Sequence, residues 1–141
     1  MIIYITVDQA IKIHDRQIEQ HGGLKGLRDL GLLTSAIEMP KSAFSGIEMY
    51  PTLFDKAAAY IFYLAKNHPF IDGNKRTAAF TAILFLRLNG LNVKIDLKQY
   101  ELLIVGTAEG LISKAQLSLF FSKSTHKPIK KPSKYSRRRK R

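Results

Sequence analysis

Apolar residues recur along most of the chain at helical spacing. Between Val7 and His21 they fall at Val7, Ala10, Ile11, Ile18, with His14 and His21 on the same face, the i, i+3, i+4 recurrence of an amphipathic helix. Thr6 precedes this run and Gln9 follows three residues later, a capping box, and Gly22–Gly23 supply the stop. Gly26 to Leu30 reads as a turn and Leu32–Met39 as a short helix ended by Pro40. Residues 40–51 are bounded by prolines and contain Gly46, which predicts a loop or small hairpin. Leu53–Asn67 and Asn74–Asn89 are the two strongest helical runs, rich in alanine and bulky apolar residues on broad faces that belong in a core. Pro69 disfavours helical geometry at His68, so the first of them ends near Asn67. Asp96 with Gln99 starts a helix to about Thr107, and Ser113 with Gln116 starts one to about Phe121. Ile2–Ile5 is a short β-prone run. The pattern predicts a mainly α fold with at most a small β element, a short N-terminal strand, a hairpin within 40–51, or both.

Composition changes this picture in one place. The chain has 141 residues, enough for one domain. Its net charge is +12, but residues 127–141 hold nine basic side chains and no acid, leaving +3 for residues 1–126. The expected division is a folded domain over 1–121 and a basic tail over 122–141, whose Lys, Arg, Ser and Pro cannot bury enough apolar surface to fold. Such a tail suits contact with nucleic-acid phosphates, or serves as a solvated end. There is no cysteine, which excludes disulfides, thiolate catalysis and Cys-ligated metal centres. No membrane-length apolar run and no secretory leader is evident, so a cytoplasmic chain is expected.

Candidate chemistry concentrates in residues 67–77, Asn-His-Pro-Phe-Ile-Asp-Gly-Asn-Lys-Arg-Thr, a polar stretch between two hydrophobic helices. His68 is suited to general-base work near neutral pH. Asp72 offers one carboxylate, and Mg²⁺ typically takes one or two beside substrate phosphates. Gly73 permits positive φ or close backbone approach. Asn74, Lys75 and Arg76 open a helix, where free N–H groups and the dipole attract anions. Lys75 and Arg76 point about 100° apart around that helix and can grip different phosphates of one polyphosphate. Together these parts suit phosphate transfer from a nucleotide to a hydroxyl. Two adjacent cations at a helix start are a local violation of dipole preference, and such violations mark functional sites. Elsewhere, His14 and His21 lie about 10.5 Å apart along their helix, too far to share one ion, and His14 reads as a satisfied structural histidine. The glycines of 22–26 match no phosphate-binding fingerprint.

His68-Pro69-Phe70-Ile71-Asp72-Gly73-Asn74-Lys75-Arg76 resembles the Fic/Doc motif, H-x-F-x-[D/E]-G-N-[G/K]-R, at every fixed position. The stretches 26–37 and 50–70 resemble the Doc (death-on-curing) subgroup, and the likeness covers about residues 3–121. It implies the Fic/Doc helical fold. AMP-transferring members have a glycine where this chain has Lys75, and a further arginine where it has Ala79. The resemblance therefore implies a Doc-like kinase, a toxin that uses ATP and Mg²⁺ and passes the γ-phosphate to a hydroxyl of a translation protein such as elongation factor Tu. Within it His68 would be catalytic, Asp72 would hold Mg²⁺, and Gly73, Asn74, Lys75 and Arg76 would bind phosphates. Phe70 would anchor the loop, and 40–51 would be the flap that docks the target. The inhibitory segment [S/T]-x-x-x-E-[G/N] of self-restrained members is not matched, because Val105 stands four residues before Glu109-Gly110. A separate antitoxin protein is the implied regulator. The alternatives are AMP transfer to a protein hydroxyl and a catalytically silent module that binds nucleic acid through its tail.

Overall fold

A computed structural model describes residues 1–126; the cationic stretch 127–141 lies outside them. The chain forms six helices: α1 Val7–His21, α2 Leu30–Glu38, α3 Leu53–Asn67, α4 Asn74–Leu88, α5 Leu97–Ala108 and α6 Lys114–Ser124. The α3 helix lies at the centre and packs on α2, α4, α5 and α6, while α1 packs on α4. Small side chains let the neighbours come close: Ala57, Ala58, Ala59 and Ala65 of α3 are fully buried, as are Ala78 and Ala82 of α4. Tyr60, Ile61, Leu64, Phe85, Leu86, Leu117 and Phe121 fill the space between the helices.

Capping accounts for most helix starts. The α1, α3 and α6 helices begin with reciprocal capping boxes, Thr6–Gln9, Thr52–Asp55 and Ser113–Gln116. Asp96 accepts from Lys98 and Gln99 at the start of α5. The α2 helix begins at Leu30, two residues before the expected start, because the Asp29 carboxylate accepts the Leu32 N–H. A 3₁₀ turn, Met39–Lys41, continues it. The α6 helix runs to Ser124, past the expected end near Phe121, and the Thr125 hydroxyl closes it by donating to the Phe121 carbonyl.

The β structure is small. Strands β1 (Ala43–Phe44) and β2 (Ile47–Glu48) form an antiparallel hairpin within 40–51. Its two-residue turn has positive φ at both Ser45 (51°) and Gly46 (78°), the twist a tight hairpin favours. Strands β3 (Asn92–Val93) and β4 (Thr125–His126) make a second pair, so the described structure extends past residue 121. The N-terminal strand does not form. The Ile5 N–H donates to the Tyr60 hydroxyl and Ile3 exchanges two bonds with the Asn89 side chain, so side chains take the groups a ladder would need. No helix among the described residues is long and apolar enough to cross a membrane.

Candidate active site

The α3–α4 connection, residues 68–73, is held from three sides. Its first residue, His68, adopts the left-handed conformation (φ 48°, ψ 56°), which few non-glycine residues take. Arg28 donates from Nε to the His68 carbonyl at 2.6 Å and from Nη2 to the Asn67 carbonyl at 2.7 Å. The backbone N–H groups of Arg28 and Asp29 both donate to the Pro69 carbonyl, and Ile71 N–H donates to Gly26. The segment after α1 therefore forms a backbone cradle for the loop.

Phe70 points into the core, 2% exposed. Its ring stacks on the His14 imidazole, 3.8 Å between centroids and 4° between planes. His14 Nε2 lies 2.7 Å from the Asp72 carbonyl oxygen. A carbonyl only accepts, so Nε2 carries the proton. The expected satisfied histidine is thus found, and its partner is the loop itself. The Asn74 side chain closes the loop locally, accepting from Phe70 N–H and donating to Phe70 carbonyl. Its oxygen and one of its two amide N–H donors are committed there, which fixes the side chain and leaves the second N–H and the backbone N–H as donors.

Asp72 is exposed and points to the N-terminal side. Oδ2 accepts from Leu24 N–H at 3.1 Å and Oδ1 from Gly73 N–H at 2.9 Å. These two N–H groups, Leu24 first, hold its carboxyl below the usual carboxylate range, and Arg76 adds to the effect. Gly73 has φ 78° and precedes α4. A Cβ there would meet Ile18 Cδ1 at 3.0 Å and His14 Cδ2 at 3.5 Å, so inner packing as well as backbone angle requires glycine. Gly23 is similar, because a Cβ on it would stand 2.9 Å from Asp72 Oδ2.

The α4 helix starts without a side-chain cap, whereas each of the other five has one. Its first turn carries no acid and holds Lys75 and Arg76, both exposed. Orphan N–H groups, the positive end of the dipole and two cations together make an anion site. A cleft of about 830 Å³ opens over it. His68, Asp72, Gly73, Asn74, Lys75 and Arg76 all line this cleft, and it continues along α4 past Phe80, Ile83 and Arg87 to Tyr100 and Ile104 of α5. The sequence-predicted site residues are therefore brought together around one opening. His21 also lines it, while His14 is buried below.

Residues 4–86 match the Fic/DOC family. The chain belongs to this family. Two relatives bear on the subgroup. Over 75 residues it is 47% identical to "Toxin Doc" of Mycolicibacterium smegmatis (strain ATCC 700084 / mc(2)155), covering 53% of this chain and 58% of that one. Over 110 residues it is 38% identical to "Protein kinase doc" of Escherichia phage P1, covering 78% of this chain and 86% of the relative. Both belong to the Doc branch, and the mainly α architecture with small β pairs is the one expected of a Fic/Doc fold. Three supports of the family loop carry no local signal in the sequence: the Leu24 N–H, His14 and Arg28 lie 40 to 58 positions from their partners.

Proposed function

We propose that the chain transfers the γ-phosphate of ATP to a serine or threonine hydroxyl of a protein, and that this makes it the toxin of a toxin–antitoxin pair. The observation that carries the reading is the uncapped, doubly cationic start of α4 sharing a cleft with the exposed His68. His68 takes the proton of the target hydroxyl. The hydroxyl oxygen bonds to the γ-phosphorus as the bond to the β–γ bridging oxygen breaks, and ADP leaves. Lys75, Arg76 and the first N–H groups of α4 offset the charge that spreads over the phosphate oxygens, the main work in such a transfer.

The donor set suits Mg²⁺. No group of three His, Cys, Asp or Glu that could hold a metal occurs among the described residues. Asp72 is one exposed carboxylate, with lone pairs left on both oxygens, and Mg²⁺ commonly shares one or two carboxylates with substrate phosphates. Bound there, Mg²⁺ would supply charge neutralisation between phosphate oxygens. The relatives' names, a toxin and a protein kinase, support the activity class. They also support a separate antitoxin as regulator. A translation factor such as elongation factor Tu is the target the subgroup resemblance implies, with the hairpin 43–48 as its docking edge, in the cytoplasm. The cationic stretch 127–141 is proposed to add contact with nucleic acid.

Purified protein with Mg²⁺ and a bacterial lysate tests the reading, using ATP labelled at the γ- or at the α-phosphate and His68→Ala as control. Label arriving only from the γ-position, and lost in the control, is expected. Label from the α-position would mean AMP transfer. Absence of label from both, with elongation factor Tu present, would leave a binding module.

A further inference from the structure

The His68-Pro69 dipeptide creates a problem at the end of α3 that Arg28 solves. A helix usually closes on N–H groups from the two residues beyond it, with glycine in the left-handed position. Here the left-handed residue is His68, which carries a side-chain strain glycine would avoid. The next residue is Pro69, which has no N–H to give. The last carbonyls of α3 are therefore short of donors just where the imidazole must be aimed. The Arg28 guanidinium supplies two, a fork that spans the Asn67 and His68 carbonyls. Its own N–H takes the next carbonyl, that of Pro69. Three consecutive carbonyls thus end on one residue. The positive charge also sits at the negative end of the α3 dipole. The φ and ψ of His68 fix where its Cβ points, so whatever fixes those angles aims the base.

We propose that Arg28 is a positioning residue for His68: it holds the imidazole in register with the anion site at the start of α4 without touching the reactants. The proposal rests on the phosphotransfer reading for its kinetic consequence only. Phosphate binding belongs to α4, which Arg28 does not contact through any of its hydrogen bonds. Loss of the fork should therefore act on turnover and spare nucleotide affinity. Misplacement of a reacting group by about 1 Å costs on the order of 100-fold.

The test compares the full-length chain with Arg28→Ala and Arg28→Lys. In Arg28→Ala kcat should fall roughly 10- to 100-fold, with KM for Mg·ATP unchanged within about 3-fold. Arg28→Lys keeps the charge but not the fork, so it should fall between the two and remain readable if the alanine variant does not fold. Added guanidinium ion should return part of the lost kcat to Arg28→Ala and none to Arg28→Lys. In parallel, the ¹³C-labelled His68 ring is followed by NMR, assigned against His68→Gln. One sharp signal is expected in the parent, several or a broadened one in Arg28→Ala, and one again with guanidinium. The NMR arm reads the clamp even in a preparation that transfers no phosphate, so failure of the two readings is distinguishable. An unchanged kcat, a change confined to KM, or a His68 ring indifferent to Arg28 would each overturn the proposal.

Discussion

Lys56→Met should unfold the hairpin's mooring and cost much more than its charge partner does. Lys56 is on α3 and is fully buried. Its ammonium donates to Tyr50 carbonyl at 2.6 Å, to Glu48 Oε1 at 2.7 Å and, at 3.4 Å, to Pro40 carbonyl, and it lies 5.7 Å from the Tyr4 ring centroid. Methionine keeps the apolar stem and removes every donor. Glu48 is 48% exposed, so water replaces lysine there at little cost. The carbonyls of Tyr50 and Pro40 belong to buried residues, and an orphaned buried acceptor costs about 1–3 kcal/mol. The ring contact adds about 0.5–1 kcal/mol. The net loss is about 2–4 kcal/mol, with the long Pro40 contact contributing least. For a folded part of this size that lowers Tm by about 8–16 °C. Glu48→Gln keeps an acceptor at a half-exposed site and should cost below about 1 kcal/mol. Thermal unfolding by circular dichroism, with urea titration for the free energy, measures both. A Lys56→Met loss under about 1 kcal/mol, or a Glu48→Gln loss equal to it, would refute this account of the mooring.

Gly73→Ala forces a methyl into left-handed backbone and against Ile18 and His14; it should cost about 1–2 kcal/mol and raise KM for Mg·ATP, read by urea unfolding and initial rates. The Asp72 tether to Leu24 is a depressed-carboxyl interaction, so its contribution is complete above the ordinary aspartate range near pH 4 and fades as pH falls through the lower folded value. Amide exchange at Leu24, scaled for intrinsic rate, should therefore be flat from pH 7 to about 5 and accelerate only in more acidic solution; acceleration already at pH 6 would contradict it. Deleting residues 127–141 removes nine cations and should weaken RNA or DNA binding and flatten its salt dependence in a filter assay, while melting temperature stays put; unchanged binding disposes of the tail's role.

The helices were legible because their signals are local. Thr6 and Gln9, Ser113 and Gln116 and Asp96 all cap as their spacing indicates, and the bounds of α1 and the end of α3 follow from cap and breaker alone. The Ile2–Ile5 run misled because β propensity says nothing about which partner takes the backbone groups, and here Asn89 and Tyr60 take them. The motif from His68 to Arg76 was legible since nine adjacent residues carry it. Its supports were not, and neither was the mooring of the hairpin. A lysine at Lys56 on a helix reads as a solvated charge, yet the chain folds Glu48 and two carbonyls over it. Arg28 reads as part of a polar turn, and nothing nearby indicates that its partners are Asn67 and His68. Asn74 adds a structural task that its place in the motif does not announce: its side chain exchanges two hydrogen bonds with the Phe70 backbone.

The cradle around residues 68–73 divides the construction of the cleft between two stretches of chain. The motif lies in residues 68–76, while His14, Leu24, Gly26 and Arg28, which shape it, all come from the first 28 residues. Between them stands the exposed Ser45–Gly46 turn, the kind of site where a chain tolerates interruption. Severed there, one piece carries the motif without its frame and the other the frame without the motif. The shape of the cleft is thus a property of two distant stretches held together by the fold, and neither stretch carries it alone.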